Sequence, residues 1–135
     1  MKFLVINGPN LNMMHFTEPG VAGQLDYNGL LDYLELCCTQ MGMEVEFFQS
    51  NHEGSIVDKI QEAYGKVDGI VINPGAYTHY SYAIHDALKA VSIPAVEVHM
   101  SDIQKREEFR HLSVTAPACI AQIRGHGFES YTMAV

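Results

Sequence analysis

The sequence predicts an α/β domain built on a parallel sheet with helices on both faces. Short apolar runs of strand length alternate with segments of helical periodicity along its 135 residues. Polar loops begin at Asn7, Ser50, Asn73 and His99, each directly after such a run. That placement is expected when parallel strands all end on one edge. No internal repeat or low-complexity linker divides the chain, so a single domain over residues 1–135 is expected. Five strands suggest the flavodoxin-like order 2-1-3-4-5. Ligands in such sheets sit beyond the carboxyl ends of the strands, near the point where the strand order reverses.

Phe3 to Ile6 is a continuous apolar run that stops at Asn7-Gly8-Pro9, a strand entering a turn. Leu30, Leu31, Leu34, Cys37, Cys38 and Met41 recur at helical spacing, with Asp26 as the expected N-cap and Gly42 as the stop. MEVEFFQ (43–49) alternates and then turns apolar, as a strand does, and SNHEG (50–54) breaks it. Ile56, Ile60, Ala63 and Tyr64 outline a second helix, ended by Gly65. GIVI (69–72) is the third strand and NPGAYTHYS (73–81) its outgoing loop. Ala83, Ile84, Ala87, Leu88 and Val91 mark a third helix, and PAVEVH (94–99) a fourth strand. Ser101 with Gln104 resembles a capping box opening a helix through QKREEFR. CIAQI (119–123) is the fifth strand. The tail GHGFESYTMAV is brief for a closing helix, so a frayed or truncated end is expected.

Composition narrows the function classes. An apolar fraction of 47% with 18% charged residues reads as a soluble globular chain. Eight basic against sixteen acidic side chains give a net charge of −8, which argues against nucleic acid as a partner. A small anionic substrate is not excluded, because one local arginine outweighs a distant global charge. Three cysteines, two of them adjacent at 37 and 38, fit neither a disulfide framework nor a CxxC metal site. They read as reduced thiols, and a cytoplasmic location is expected. No signal peptide precedes the first strand, and no apolar run reaches the ~20 residues of a membrane span. The seven histidines are scattered without HExxH spacing, and no GxGxxG or GxxxxGK[ST] occurs, so neither a metal nor a nucleotide is expected.

The polar residues at the strand ends are the candidates for chemistry. Glu97 and His99 are two apart on one strand, so both side chains point to the same face. A carboxylate there can orient an imidazole that gives or takes a proton near neutral pH; a strand-end His bonded to a backbone carbonyl is the alternative. Ser101 at a helix start can receive an anion, or serve only as a cap. Arg110, further along the same segment, can meet an anion or a hydroxyl, or lie exposed on its helix. Asn73, in the turn with Pro74 and Gly75, presents a carboxamide; His79 follows in the same loop and Asp86 on the next helix. Asp86 either binds substrate, pairs across an interface, or is a surface carboxylate. Asn51, His52 and Glu53 form another strand-end group that a simple polar turn also explains.

Taken together, LVINGPNLN (4–12), VEFFQSNHEG (45–54), DGIVINPGAYTH (68–79), VSIPAVEVHMSDI (91–103) and REEFRHLS (106–113) resemble the type II 3-dehydroquinate dehydratases. These stretches span the chain in the family's order. The resemblance implies a flavodoxin-like subunit assembled as trimers or a dodecamer, a small cyclic carboxylate as substrate, and neither metal nor organic cofactor. It implies a trans elimination of water: a lid tyrosinate takes a proton beside the ketone, and a histidine protonates the departing hydroxyl. His99 matches that general acid, Glu97 its orienting carboxylate, and Asn10 the asparagine that supports the enolate. Asn73, His79, Asp86 and Arg110 match substrate contacts. Met100 and Ser101 match the pair that receives the substrate carboxylate.

The opening loop departs from this pattern. The family reads close to GPNLNLLGxREPxxYG, whereas this chain reads GPNLNMMHFTEPGVAG. The two align without a gap through Glu18, Pro19 and Gly23. Thr17 therefore takes the place of the lid arginine and Ala22 that of the tyrosine base. His15 replaces a glycine, and His85 stands where an arginine is common. Positioned general base catalysis is worth ~10²–10⁴-fold, so weak or altered turnover is expected. His15, Tyr27, water or a group on the substrate are the replacement bases to consider. A catalytically silent protein that keeps the pocket for binding, assembly or regulation is the alternative.

Overall fold

A computed structural model describes residues 1–13, 26–100, 107–126 and 129–134. His15, Thr17, Glu18, Pro19, Ala22, Gly23, Ser101 and Gln104 lie outside the described residues. Five parallel strands form one sheet: β1 (Lys2–Asn7), β2 (Glu44–Gln49), β3 (Gly69–Asn73), β4 (Ala95–His99) and β5 (Ala121–Arg124). Their order is β2-β1-β3-β4-β5, as the alternating pattern predicts. Helices α1 (Tyr27–Gln40), α2 (Glu53–Glu62), α3 (Tyr82–Val91) and α4 (Glu129–Ala134) complete the fold.

The two-residue period of the strands feeds two separate cores. Leu4, Ile6, Ile70, Ile72 and Ala95 point to one face and pack under Ile56 and Ile60 of α2 and Ile84, Ala87, Leu88 and Val91 of α3. Val5, Val71 and Val98 point the other way, onto Leu30 and Leu34 of α1 and Tyr131 of α4. This is why the central strands read as continuous apolar runs rather than alternating ones.

The helix starts follow local chemistry. Asp26 caps α1 by accepting the Gly29 N–H at 3.0 Å, an interaction worth about 1 kcal/mol. Ser81 caps α3 through the Ile84 N–H at 3.1 Å and donates its own proton to Glu53 of α2 at 2.5 Å, tying the two helices together.

Three expectations change. The helix expected through QKREEFR does not run unbroken: among the described residues of that stretch, Glu107 is extended and Glu108–Arg110 makes a single 3-10 turn. The fifth strand begins at Ala121 rather than Cys119. A 3-10 turn over Ala116–Ala118, with Pro117 in its first turn, delays the chain's entry into the sheet. The tail is anchored rather than loose: Tyr131 is fully buried, and its ring fills the core between α1 and the sheet.

Candidate active site

The strand ends of β1 and β3 lie side by side, with Asn7 opposite Asn73. The turns that leave them interlock. A Cβ on Gly8 would sit 2.3 Å from the Pro74 carbonyl oxygen, so no other residue fits there without parting the two turns. Gly75, at φ +61°, also lies close to Pro9: a Cβ there would be 3.1 Å from the Pro9 oxygen. The Gly8 N–H donates to the Asn73 carbonyl at 2.8 Å. Asn10 is thereby presented outward in the left-handed region (φ 69°), with its N–H donating to the Asn51 side chain at 3.0 Å. Asn51 is thus more than a polar turn, since Gln49 and Tyr77 also bond to it.

Asn73 is committed to the fold on both ends of its carboxamide. Its Nδ2 donates to the Tyr131 hydroxyl at 2.9 Å, and its Oδ1 accepts the Gly75 N–H at 3.1 Å. Tyr131 in turn donates to Asn7 Oδ1 at 2.5 Å. Burial pushes the Tyr131 hydroxyl far above its usual range, against the hydrogen bond from Asn73, so it stays protonated as the bridge between the two strands. Asn7 also donates to the Tyr27 hydroxyl at 3.3 Å. Burial raises the pKa of Tyr27 above 10, and the Asn7 hydrogen bond only partly offsets it.

Glu97 and His99 form the second focus, at the end of β4 and on the opposite face from Tyr27 and Tyr131. Both are buried, and His99 Nε2 lies 2.9 Å from Glu97 Oε2. Ionised Glu97 only accepts, so Nε2 carries the proton and Nδ1 is the nitrogen left for other chemistry. The carboxylate is otherwise surrounded by donors. Ser113, Gln122 and Thr78 reach Oε2 at 2.7, 2.8 and 3.0 Å, and the Thr115 hydroxyl donates to Oε1. Burial alone would raise the Glu97 pKa. The hydrogen bond and charge of His99, with the Thr115 and Gln122 donors, outweigh it and hold the carboxyl at about 2.

The remaining predicted residues take varied places. His79 is half-buried in the loop after β3, its Nδ1 on the Leu112 carbonyl at 2.7 Å. Arg110 lies in the 3-10 turn, its Nε donating to Glu107 at 2.7 Å. Met100 follows His99 directly, but its side chain belongs to the core beside Val98. Asp86 is exposed on α3, turned away from that helix's buried residues. Among the described residues no cluster of His, Cys, Asp and Glu could hold a metal ion, and no helix is long and apolar enough to cross a membrane.

Sequence reading missed Thr78, Ser113, Thr115 and Gln122 around Glu97, and Asn7 with Tyr131 beneath Asn73. No periodicity marked them: Thr115 lies in the right-handed helical region (φ −89°, ψ −30°), so the two-residue spacing of Ser113 and Thr115 is not that of a strand.

The chain as a whole has similar counterparts among known proteins. The family described as dehydroquinase class II matches residues 1–135. The chain is 60% identical over 135 residues to a 3-dehydroquinate dehydratase of Caldicellulosiruptor bescii, covering 99% of this chain and 93% of that one. A 3-dehydroquinate dehydratase of Clostridium perfringens is 59% identical over 136 residues, covering 100% and 94%. The crystal structure of a type II dehydroquinase from Butyrivibrio crossotus superposes with a TM-score of 0.96 at 57% identity, covering 99% of this chain and 94% of that chain. Sequence and fold therefore agree, and the chain belongs to the type II dehydroquinase family.

Proposed function

We propose that this chain performs, weakly or on an altered substrate, the trans elimination of water from a cyclic polyol carboxylate such as 3-dehydroquinate. One observation carries the reading: a buried, ionised Glu97 holds the Nε2 proton of His99, leaving Nδ1 able to present a proton at the sheet edge. In the proposed reaction a base removes the proton beside the ketone and an enolate forms. The carbon–oxygen bond then breaks, and His99 protonates the departing hydroxyl to give water. Asn10 supports the enolate. Met100 and Ser101 receive the carboxylate, chiefly through backbone N–H and hydroxyl, while Asn73, His79 and Arg110 contact the ring substituents. Asp86, exposed on α3, reaches a substrate only from across a subunit interface, which favours a trimer or dodecamer of this chain. A reduced cytoplasmic setting suits the three free thiols.

The base is the weak half. Thr17 and Ala22 stand where the family places arginine and tyrosine, and alanine has no atom that accepts a proton. Tyr27 does not replace it, because its raised pKa keeps its hydroxyl protonated at neutral pH. Water, His15 or a group on the substrate remain. The same two substitutions favour a second reading, a silent relative that binds a dehydroquinate-like ligand or serves assembly or regulation.

Turnover and binding of 3-dehydroquinate on one preparation separate the two. The first reading expects slow turnover abolished by His99→Ala, and the second expects binding alone. Thr17→Arg with Ala22→Tyr should raise turnover by about 10²–10⁴-fold. Binding without any gain in that double variant would overturn the missing-base argument, and ordinary family turnover in the unaltered protein would overturn the expectation of weak activity.

A further inference from the structure

The Glu97 carboxylate has more partners than a dyad with His99 requires. The torsion that rotates a glutamate carboxylate is broad and roughly two-fold, so the side chain's own rotamer does not fix which oxygen faces the histidine. Neighbouring donors must do so. Thr115 is the only donor to Oε1 among the described residues, while His99, Ser113, Gln122 and Thr78 all lie at Oε2.

Two elements bring these donors in. Gln122 sits directly opposite Glu97 in the β4–β5 ladder. Its Oε1 accepts Arg124 Nη1 at 3.0 Å, which fixes the amide so that Nε2 faces the carboxylate. The 112–115 segment is irregular and stitched on both sides. The carbonyls of Leu112 and Val114 accept Nδ1 of His79 and His85 at 2.7 and 2.8 Å, and the Val114 N–H donates to the Thr78 carbonyl at 2.7 Å. The hydroxyls of Ser113 and Thr115 consequently turn inward onto Glu97.

We propose that Thr115 and Gln122 are positioning residues for His99, acting through Glu97: one pins Oε1, the other pins Oε2, and together they set the ring's angle and keep its proton on Nε2. The proposal rests on the reading of His99 as the proton donor. It extends that reading to two residues that bond to Glu97 rather than to the imidazole. A donor displaced by a fraction of an ångström loses much of its catalytic effect, which makes such remote groups consequential.

The test uses Thr115→Val, Thr115→Ser and Gln122→Leu in the full chain, each folded by its amide NMR spectrum. The first readout is the proton on His99 Nε2, followed with ¹⁵N-histidine labelling and assigned with His99→Gln. In the parent it is shielded from exchange by burial and by Glu97. Thr115→Val and Gln122→Leu are expected to broaden or lose it, and Thr115→Ser to keep it. The second readout is 3-dehydroquinate turnover in the Thr17→Arg, Ala22→Tyr background. There kcat should fall about ten-fold or more in the two disruptive variants with KM little changed. A Gln122→Leu protein with an unaltered His99 proton and unaltered kcat overturns the proposal, whether or not Thr115→Val folds. Loss of the His99 proton in preparations that never turn over 3-dehydroquinate supports the positioning and overturns the dehydratase reading instead.

Discussion

Replacing Glu97 by Gln should change stability in a way that depends on pH with a definite sign. In the folded chain the Glu97 carboxyl is held at about 2, against 4.5 for the ordinary side chain. Between those values the unfolded chain binds the proton and the folded chain does not. Stability from this group is therefore complete above pH 4.5 and is lost as pH falls toward 2. The full difference corresponds to about 3 kcal/mol, and the part lost by pH 3 to about 2 kcal/mol. The residue is fully buried, so solvent screening does little to reduce this. Glu97→Gln removes the titration but keeps the volume. Urea unfolding of both proteins from pH 6 to pH 3, at one fixed protein concentration, should show the parent's advantage shrinking by about 2 kcal/mol. The difference between the two curves cancels the titrating groups that do not interact with Glu97. A gap that stays constant over that range would refute the assignment of Glu97 as an ionised carboxylate stabilised by its donors.

Two further expectations concern groups away from His99. Tyr131→Phe leaves Asn7 Oδ1 and Asn73 Nδ2 without their shared partner in the core, and should cost about 1–3 kcal/mol in chemical denaturation; a loss within error of zero would mean that the two asparagines re-pair unaided. Burial, helped by the nearby charge of Glu97, pushes the Cys119 thiol up to about 12. Alkylation of the folded protein at pH 8 should therefore leave Cys119 unmodified until unfolding. Peptide mapping that found Cys119 modified at the rate of an unfolded control would contradict its placement.

Most of the fold was legible because it depends on local periodicity. Apolar runs entering Asn-Gly-Pro and Asn-Pro-Gly turns placed β1 and β3, and the same two-residue period put Glu97 and His99 on one face. The helix expected across Glu107 failed because Ser101 and Gln104 form a capping pattern whatever follows them. Glu107 itself is extended as the chain turns toward Arg110. The donors around Glu97 were not legible, since Thr78, Ser113 and Thr115 come together only when the 112–115 segment docks against the β3–α3 loop, and Gln122 arrives through the β4–β5 pairing. Asn73 reads in the sequence as a loop carboxamide, and its structural role was not legible. Its bond to Tyr131 joins residues 58 positions apart.

The buried pair at 97 and 99 is informative because a buried ion pair is a costly way to stabilise a fold. An ionised carboxylate in a protein interior repays its desolvation only with excellent geometry, and well-packed apolar groups of similar size often serve a fold as well or better. Here the chain keeps the charge and surrounds it with five side-chain donors, three of them hydroxyls brought in by loops. Such an arrangement has a physical purpose if His99 must keep one proton fixed on Nε2 while Nδ1 meets a ligand. That requirement survives the substitutions at positions 17 and 22 under either reading, but with different consequences. If His99 delivers a proton, His99→Ala abolishes turnover and barely alters ligand affinity. If it only holds a ligand oxygen, the same substitution weakens affinity and there is no turnover to lose.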